Sequence, residues 1–291
     1  MIATMFQHSR LTEFLLGLFA ATSILAPSAA HALGGDGDKV VARVVTFGGA
    51  CEKCDLSGRR MSGAQILGAN FSGAALVGSD MRSVRVLGAN FSGADLSRAD
   101  LTDSEMIGSN FSNANLSNAR LRGVQARGVA FSSAIMVKAD LRDTEAQGAN
   151  FSRADLSSAQ FNDTSLQGAV LSRVDGRGAS FRDAALQGAN LSSGRFDRAI
   201  FVDASMDGAV LNGGQFDGAD FRDASLHRAA LFGADLSGAR NLDQDQINHA
   251  CSDASTRLPK GLVPRTCRGV TPHWSPKAPP APPAPPAPPR P

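Results

Sequence analysis

Large apolar residues recur at every fifth position along most of the chain. From Leu56 to Leu236 there are 37 consecutive such centres without an insertion, and only Ala126, Ala146 and Gly176 are not large and apolar. The residue two positions before each centre is mostly Ala, and the other positions are mainly Ser, Asp, Asn, Arg and Gly. A period of five fits neither an α-helix nor a plain strand. Each five-residue unit has one large and one small inward residue, which predicts that each unit forms one side of a polygonal coil.

A longer period of 20 residues lies inside the first. The sequence LGANFS stands at 67–72 and 87–92, and variants follow at 107–112, 147–152, 167–172 and 187–192. Glycine recurs at the same spacing, as expected where φ is positive or backbones stack closely: Gly68, Gly88, Gly108, Gly128, Gly148, Gly168, Gly188 and Gly208. No proline lies between Pro27 and Pro259, which favours hydrogen bonding of every coil to its neighbours. One coil therefore comprises four five-residue units, and residues 20 apart in the sequence are stacked neighbours.

The five-residue unit resembles a known repeat. The pattern A-(N/D)-(L/F)-S-x, as in residues 69–73 and 94–98, is similar to that of the pentapeptide-repeat family, and the match covers residues from near Cys54 to about Arg240. The resemblance implies an all-β fold, a right-handed quadrilateral β-helix with one pentapeptide per side and about nine coils. The closing stretch, 241–274, also resembles the end of exported bacterial members, in its segments 242–244, 250–251, 258–262 and 272–274.

Stacking of residues 20 apart predicts the composition of the core. One side stacks Phe71, Phe91, Phe111, Phe131 and Phe151, and another stacks Phe161, Phe181, Phe201 and Phe221. Aromatic residues at this spacing indicate packing rather than a ligand site. Because their side chains are small, Gly176, Ala126 and Ala146 are expected to leave incompletely filled space in this core.

The amino-terminal segment predicts export. Residues 14–26 form an apolar run of 13 residues, which is too short to span a bilayer because a spanning helix needs about 20. Ala30-His31-Ala32 supplies a small-x-small cleavage site. We interpret residues 1–32 as a cleaved signal peptide and expect no transmembrane anchor. The protein is then periplasmic or secreted.

The remaining segments are expected to cover the coil ends. Residues 33–50 form an N-terminal cap segment that contains the β-branched run 39–47. After the repeat domain, 51–240, residues 241–274 form a C-terminal cap, in which Asp243 begins a short capping helix over about 244–251 and Trp274 packs nearby. Residues 275–291 repeat A-P-P and predict a disordered, polyproline-rich tail.

The four cysteines fall into two pairs near the two ends of the repeat domain. A single four-cysteine zinc site is excluded, because the coils would place Cys51 and Cys54 roughly 40 Å from Cys251 and Cys267. An even count in an oxidising compartment favours disulfides within each pair. Because Cys51 and Cys54 occupy a large and a small inward position, plain core thiols remain an alternative for them.

Charge and motifs argue against several function classes. The chain has 29 Lys+Arg and 27 Asp+Glu, and residues 51–240 have 20 against 21, so no nucleic-acid partner is expected. Gyrase-inhibiting members of the family mimic DNA through an acidic surface, which this balance does not provide. The sequence has no phosphate loop, dinucleotide fingerprint or catalytic triad spacing. We therefore predict no enzyme activity, no catalytic residue, no metal and no cofactor.

Two surface columns are candidate binding sites. Asp143, Asp163, Asp183, Asp203 and Asp223 stack on one side, as a solvated column beside arginines or as a weak calcium site. The residues after three successive centres, Leu67, Leu87 and Ile107, form an apolar stripe. One alternative is that residues 33–50 or the proline-rich tail (275–291) cover the stripe. The other is that the stripe contacts a partner or a second copy in a homodimer.

These observations favour a non-catalytic exported scaffold that presents a repeated surface to an unknown protein or envelope partner. The first alternative is a calcium- or glycan-binding module that uses the Asp column. The second is a DNA-mimic regulator of a topoisomerase, which requires retention in the cytosol.

Overall fold

The computed structural model describes residues 49–267. The predicted signal peptide (1–32), nearly all of the N-terminal cap segment (33–50), Trp274 and the proline-rich tail (275–291) lie outside the described residues. What the sequence predicts for these segments therefore remains a prediction.

Parallel backbone pairing between residues 20 apart organises the described chain. Strands β1 (Gln65–Leu67) and β2 (Arg85–Leu87) pair in this register, with Ile66 opposite Val86. Elsewhere the pairing is reduced to single bridges, four per 20 residues, as in Asn70 with Asn90, Ala75 with Asp95, Asp80 with Asp100 and Arg85 with Glu105. The pairing confirms the 20-residue period and gives each coil four bridged sides.

Each side is closed by a tight turn of the backbone. In the side centred on Phe71, the N–H of Ala74 donates to the carbonyl of Phe71 at 3.0 Å, and Gly73 between them has a φ of 63°. A positive φ at the third residue alone is the mark of a type II turn. Every fifth residue from Lys53 to Gly233 has a φ between 54° and 72°. All four turns of a coil therefore need the left-handed conformation, so positive φ alone does not explain why one column is glycine in eight successive coils, from Gly68 to Gly208.

The Asn or Asp before a centre supports the turn that follows. The N–H of Ser92 donates to Asn90 Oδ1 at 3.1 Å, and the N–H of Ser97 donates to Asp95 Oδ1 at 2.9 Å. A short amide or carboxylate side chain thus satisfies a turn N–H that has no backbone acceptor. Amides also link coils, because Asn90 Nδ2 donates to Asn70 Oδ1 at 3.0 Å.

The centres and the small residues before them form one continuous core. The rings of Phe71, Phe91, Phe111, Phe131 and Phe151 stack with centroids 4.8 to 5.5 Å apart. Phe161, Phe181, Phe201 and Phe221 stack at 5.0 to 5.2 Å. Both columns confirm the predicted register, and all of these rings are fully buried.

The prediction that Gly176 leaves incompletely filled space in the core is wrong. A Cβ at Gly176 would lie 2.7 Å from Cδ1 of Phe196, one coil further on, so that ring already fills the space. Gly194 is small for the same reason, since its Cβ would lie 2.5 Å from Cε2 of Phe196. The large ring at 196 therefore compensates for the missing side chains at 176 and 194.

A short helix follows the repeat at its carboxyl end. Helix α1 (Gln244–His249) begins after Asp243, whose side chain accepts from the N–H of Gln246 while the Gln246 side chain accepts from the N–H of Asp243. Gln246 Nε2 also donates to the carbonyls of Phe221 and Ala224, at 2.8 Å each. Ile247 is fully buried against the core.

The helix ends two residues earlier than predicted because the chain returns to backbone pairing. Cys251 bridges Ala230, and Arg257 bridges Asp235. The pairing therefore continues beyond the five-residue pattern, with α1 inserted into it.

Candidate interaction surfaces

The three aliphatic residues of the predicted stripe lie next to each other on successive coils. Leu67 pairs with Leu87 in the β1–β2 register, and the N–H of Gly88 donates to the carbonyl of Ile107 at 3.3 Å. Leu67 is 39% exposed, whereas Leu87 and Ile107 are half-buried. The stripe is therefore more open at its amino-terminal end. On the next coil Arg127, which pairs with Glu145, ends it.

The Asp column owes its position to turn geometry. Its five members all occupy the positive-φ position of their turns, with φ between 54° and 59°. Asp adopts this conformation more readily than most residues. Asp143 accepts from Arg122 Nε at 2.9 Å. Within residues 49–267 no group of three or more His, Cys, Asp or Glu side chains is arranged to hold a metal ion.

Several surface arginines pair with a carboxylate two residues away. Arg142 donates through Nε and Nη2 to the two carboxylate oxygens of Asp140, at 2.7 and 2.6 Å. These hydrogen bonds from Arg142 lower the pKa of the Asp140 carboxyl below its usual value, against a smaller opposing effect of burial. The same arrangement joins Arg82 to Asp80 and Arg177 to Asp175. Such pairs leave little unbalanced charge on these columns.

The structure joins all four cysteines in disulfides, one near each end of the repeat. Cys51 and Cys54 are bonded across one turn, and Cys251 is bonded to Cys267, each with Cα atoms 5.4 Å apart. Cys51 and Cys54 also pack against the core. The second bond ties the segment after α1 to the last bridged residues.

A groove beside α1 was not anticipated from the sequence. His227 and His249, whose ring centroids lie 5.7 Å apart, line it together with Arg228 and Arg265. The sequence carries one signal of this site. The glycine column from Gly68 to Gly208 gives way to Arg228 at its next position.

A model of the pentapeptide repeat family, described as "Pentapeptide repeats (8 copies)", matches residues 51–85, 88–124, 127–163, 154–192 and 199–238. These ranges cover more than half of the chain. The chain therefore belongs to the pentapeptide repeat family, whose members form right-handed quadrilateral β-helices. A comparison with curated protein sequences found no match.

Solved structures include several similar proteins. HetL, a pentapeptide repeat protein involved in heterocyst differentiation regulation from the cyanobacterium Nostoc sp. strain PCC 7120, is 29% identical over 70% of this chain and 92% of its own, with a TM-score of 0.51. A pentapeptide repeat protein from the Arabidopsis thaliana thylakoid lumen is 34% identical over 37% of this chain and 71% of its own, with a TM-score of 0.28. QnrB1, a plasmid-mediated fluoroquinolone resistance protein, is 22% identical over 65% of this chain and 92% of its own, with a TM-score of 0.38.

Two observations bear on activity and on membrane topology. Pentapeptide repeat proteins are generally non-catalytic. No helix between residues 49 and 267 has the length and apolar character needed to cross a membrane.

Proposed function

We propose that the chain is a non-catalytic exported scaffold whose coil stack presents a regular surface to a protein partner in the cell envelope. The observation that carries this proposal is the apolar stripe, in which three aliphatic residues lie next to each other on successive coils of the outer surface. Contiguous apolar surface is characteristic of contact sites. The likeness to HetL, a protein involved in regulation, agrees with a role in interaction rather than catalysis.

The proposed architecture has about nine coils over 51–240, an N-terminal cap over 33–50 and a C-terminal cap over 241–274. A repeat stack needs covered ends because its terminal units have no neighbour on one side. Helix α1 supplies such a cover, since Gln246 satisfies two carbonyls of the preceding coil and Ile247 is buried there.

Export into a periplasmic or extracellular compartment is supported by the two disulfides, which persist in oxidising environments. Cell fractionation and mass spectrometry test it. The mature protein is expected outside the cytosol with Leu33 as its first residue. A chain that begins at Met1 in the cytosolic fraction contradicts export and reopens the topoisomerase alternative.

The triple variant Leu67→Ser, Leu87→Ser, Ile107→Ser tests the contact surface. It should lose the partner captured from solubilised envelopes, or change its assembly state if the partner is a second copy. The control is Val77→Ser with Val137→Ser, two half-buried outward valines on another side. If the triple variant keeps its fold, its assembly state and every captured partner, the stripe is not the contact surface.

Calcium or glycan binding by the Asp column is a weaker alternative, because turn geometry already accounts for those residues. Calorimetry with Ca²⁺ tests the calcium form. A saturable heat that disappears in Asp163→Asn with Asp183→Asn would support it.

A further inference from the structure

The groove at the carboxyl end is formed where three parts of the chain meet. The last complete coil contributes His227 and Arg228, α1 contributes His249, and the segment before Cys267 contributes Arg265. The groove encloses about 430 Å³, and the residues that line it include no acidic side chain. All four basic side chains are exposed to solvent at its walls.

The backbone fixes the two histidines beside each other. The N–H of Arg228 donates to the carbonyl of His249 at 2.7 Å, which joins the coil to the end of α1. His249 Nδ1 lies 2.8 Å from the carbonyl oxygen of Asp245, which restrains its ring. The two imidazoles are therefore held side by side in the groove wall rather than being independent surface residues.

The two arginines differ in their partners. Arg265 donates through Nη1 to the carbonyl of Asn248, a contact that uses one of its five donors. Within residues 49–267 the Arg228 guanidinium has neither a hydrogen-bond partner nor an ion pair. Other described arginines also lack a carboxylate partner, so this cluster is distinguished by its arrangement: four basic side chains line one groove with no acidic side chain among the lining residues.

The nearest carboxylates among the described residues lie in the adjoining hollow and on the coil below, not among the residues that line the groove. Asp245 Oδ2 lies 3.7 Å from His249 Nδ1, in the adjoining hollow that His227 also lines. Asp207, one coil below His227, accepts a hydrogen bond from Ser225. The Arg228–Arg265 half of the groove is thus the electropositive half. A metal cation is disfavoured there by two guanidinium groups.

We propose that this groove binds an oxyanion of the phosphate class. Guanidinium groups present planar donors that match phosphate oxygens, and imidazole N–H groups supply further donors. Arg228 and Arg265 would hold the anion from the two walls, and His227 and His249 would contact it from the side. Free phosphate and a lipid headgroup phosphate share this chemistry. The site is independent of the apolar stripe.

Amide NMR titration of the full chain with inorganic phosphate, at constant ionic strength set with chloride, tests the proposal. Saturable shifts should be confined to the amides around 227–228, 249 and 265. Arg228→Gly should weaken the apparent affinity by about tenfold or more, the usual effect of losing a charge-assisted hydrogen bond. Glycine suits the φ of 59° at this position, so the variant is expected to fold.

Arg173→Gly is the matched control. Arg173 has a φ of 57° on another side of the coil stack, so the same charge is removed from the same backbone conformation. It should leave phosphate affinity unchanged. The proposal is overturned if phosphate gives no saturable shifts, or if both variants weaken binding equally, since the effect is then general electrostatics.

Vesicles distinguish the two sources of the anion. Sedimentation with phosphatidylglycerol vesicles that depends on Arg228 assigns the site to a lipid headgroup, with phosphatidylcholine vesicles as the reference. Phosphate binding without vesicle binding assigns it to a free phosphate compound.

Discussion

Replacing Gly176 by Leu restores the five-residue pattern, yet we predict that it destabilises the protein. The sequence pattern places a large apolar residue at every centre, and Leu56, Leu76, Leu96, Leu116 and Leu156 occupy this column. By pattern alone the substitution should fill a gap. The structure gives the opposite expectation, because the ring of Phe196 already occupies the space above Gly176.

The size of the effect follows from that contact. The Cβ alone would lie 2.7 and 2.8 Å from two ring carbons of Phe196, and the rest of a leucine side chain has to fit beyond it. Overpacking of a well-packed core usually costs about 1–3 kcal/mol, and we expect a value near the upper end. Phe196→Leu alone removes buried ring atoms and should cost about 1 kcal/mol or more.

The double variant isolates the cause. With Leu at both 176 and 196 the close contact between these two positions is relieved, although Gly194 loses the ring that fills its space. The two costs should therefore not add, and the coupling should be about 1 kcal/mol or more. Denaturant unfolding followed by circular dichroism measures the free energies of all four proteins. If Gly176→Leu is stabilising, or if the two effects simply add, the ring of Phe196 does not compensate for Gly176.

Three further substitutions test other parts of the structure. Joint replacement of Cys251 and Cys267 by Ser should lower the free energy of unfolding by about 3 kcal/mol, because their bond closes a loop of 16 residues, and non-reducing peptide mapping should show that bond in the parent. Gly168→Ala should cost about 1 kcal/mol through its φ of 64°, although its Cβ meets nothing within 4 Å, whereas Ser172→Ala, where φ is not positive, should be nearly neutral in the same unfolding assay. Hydrogen bonds, above all from the Ser255 hydroxyl, lower the pKa of Asp253 from 3.8 to about 2, so its charge stabilises the fold above pH 4 and this contribution is lost as the pH falls toward 2. The stability difference between the parent and Asp253→Asn should therefore be clearly smaller at pH 2 than at pH 7, and a difference that is the same at both pH values contradicts this assignment.

Features that repeat were predictable because stacking imposes the same demand on every coil. The period of 20 residues and the two Phe columns follow directly from the spacing of apolar residues, and the rings stack as expected. The sequence also located the start of α1, since Asp243 is a favourable N-cap residue.

Features that depend on a single neighbour were not predictable. The filling of the space at Gly176 needs the orientation of one ring, that of Phe196, which no periodic pattern contains. The role of Asn90 as an acceptor for a turn N–H requires backbone geometry, so the pattern alone classed it as a polar surface residue. The groove beside α1 combines residues from three segments, of which two lie outside the five-residue repeat.

Site-specific photo-crosslinking in intact cells tests the proposed scaffold function most directly. A photoreactive amino acid is placed at position 87 in the apolar stripe or, as the control, at position 137 on another side. The account predicts one discrete adduct from position 87, found in the envelope fraction, and none from position 137. Absence of any adduct from position 87, or the same adducts from both positions, would contradict the proposal that the stripe presents the chain to a partner.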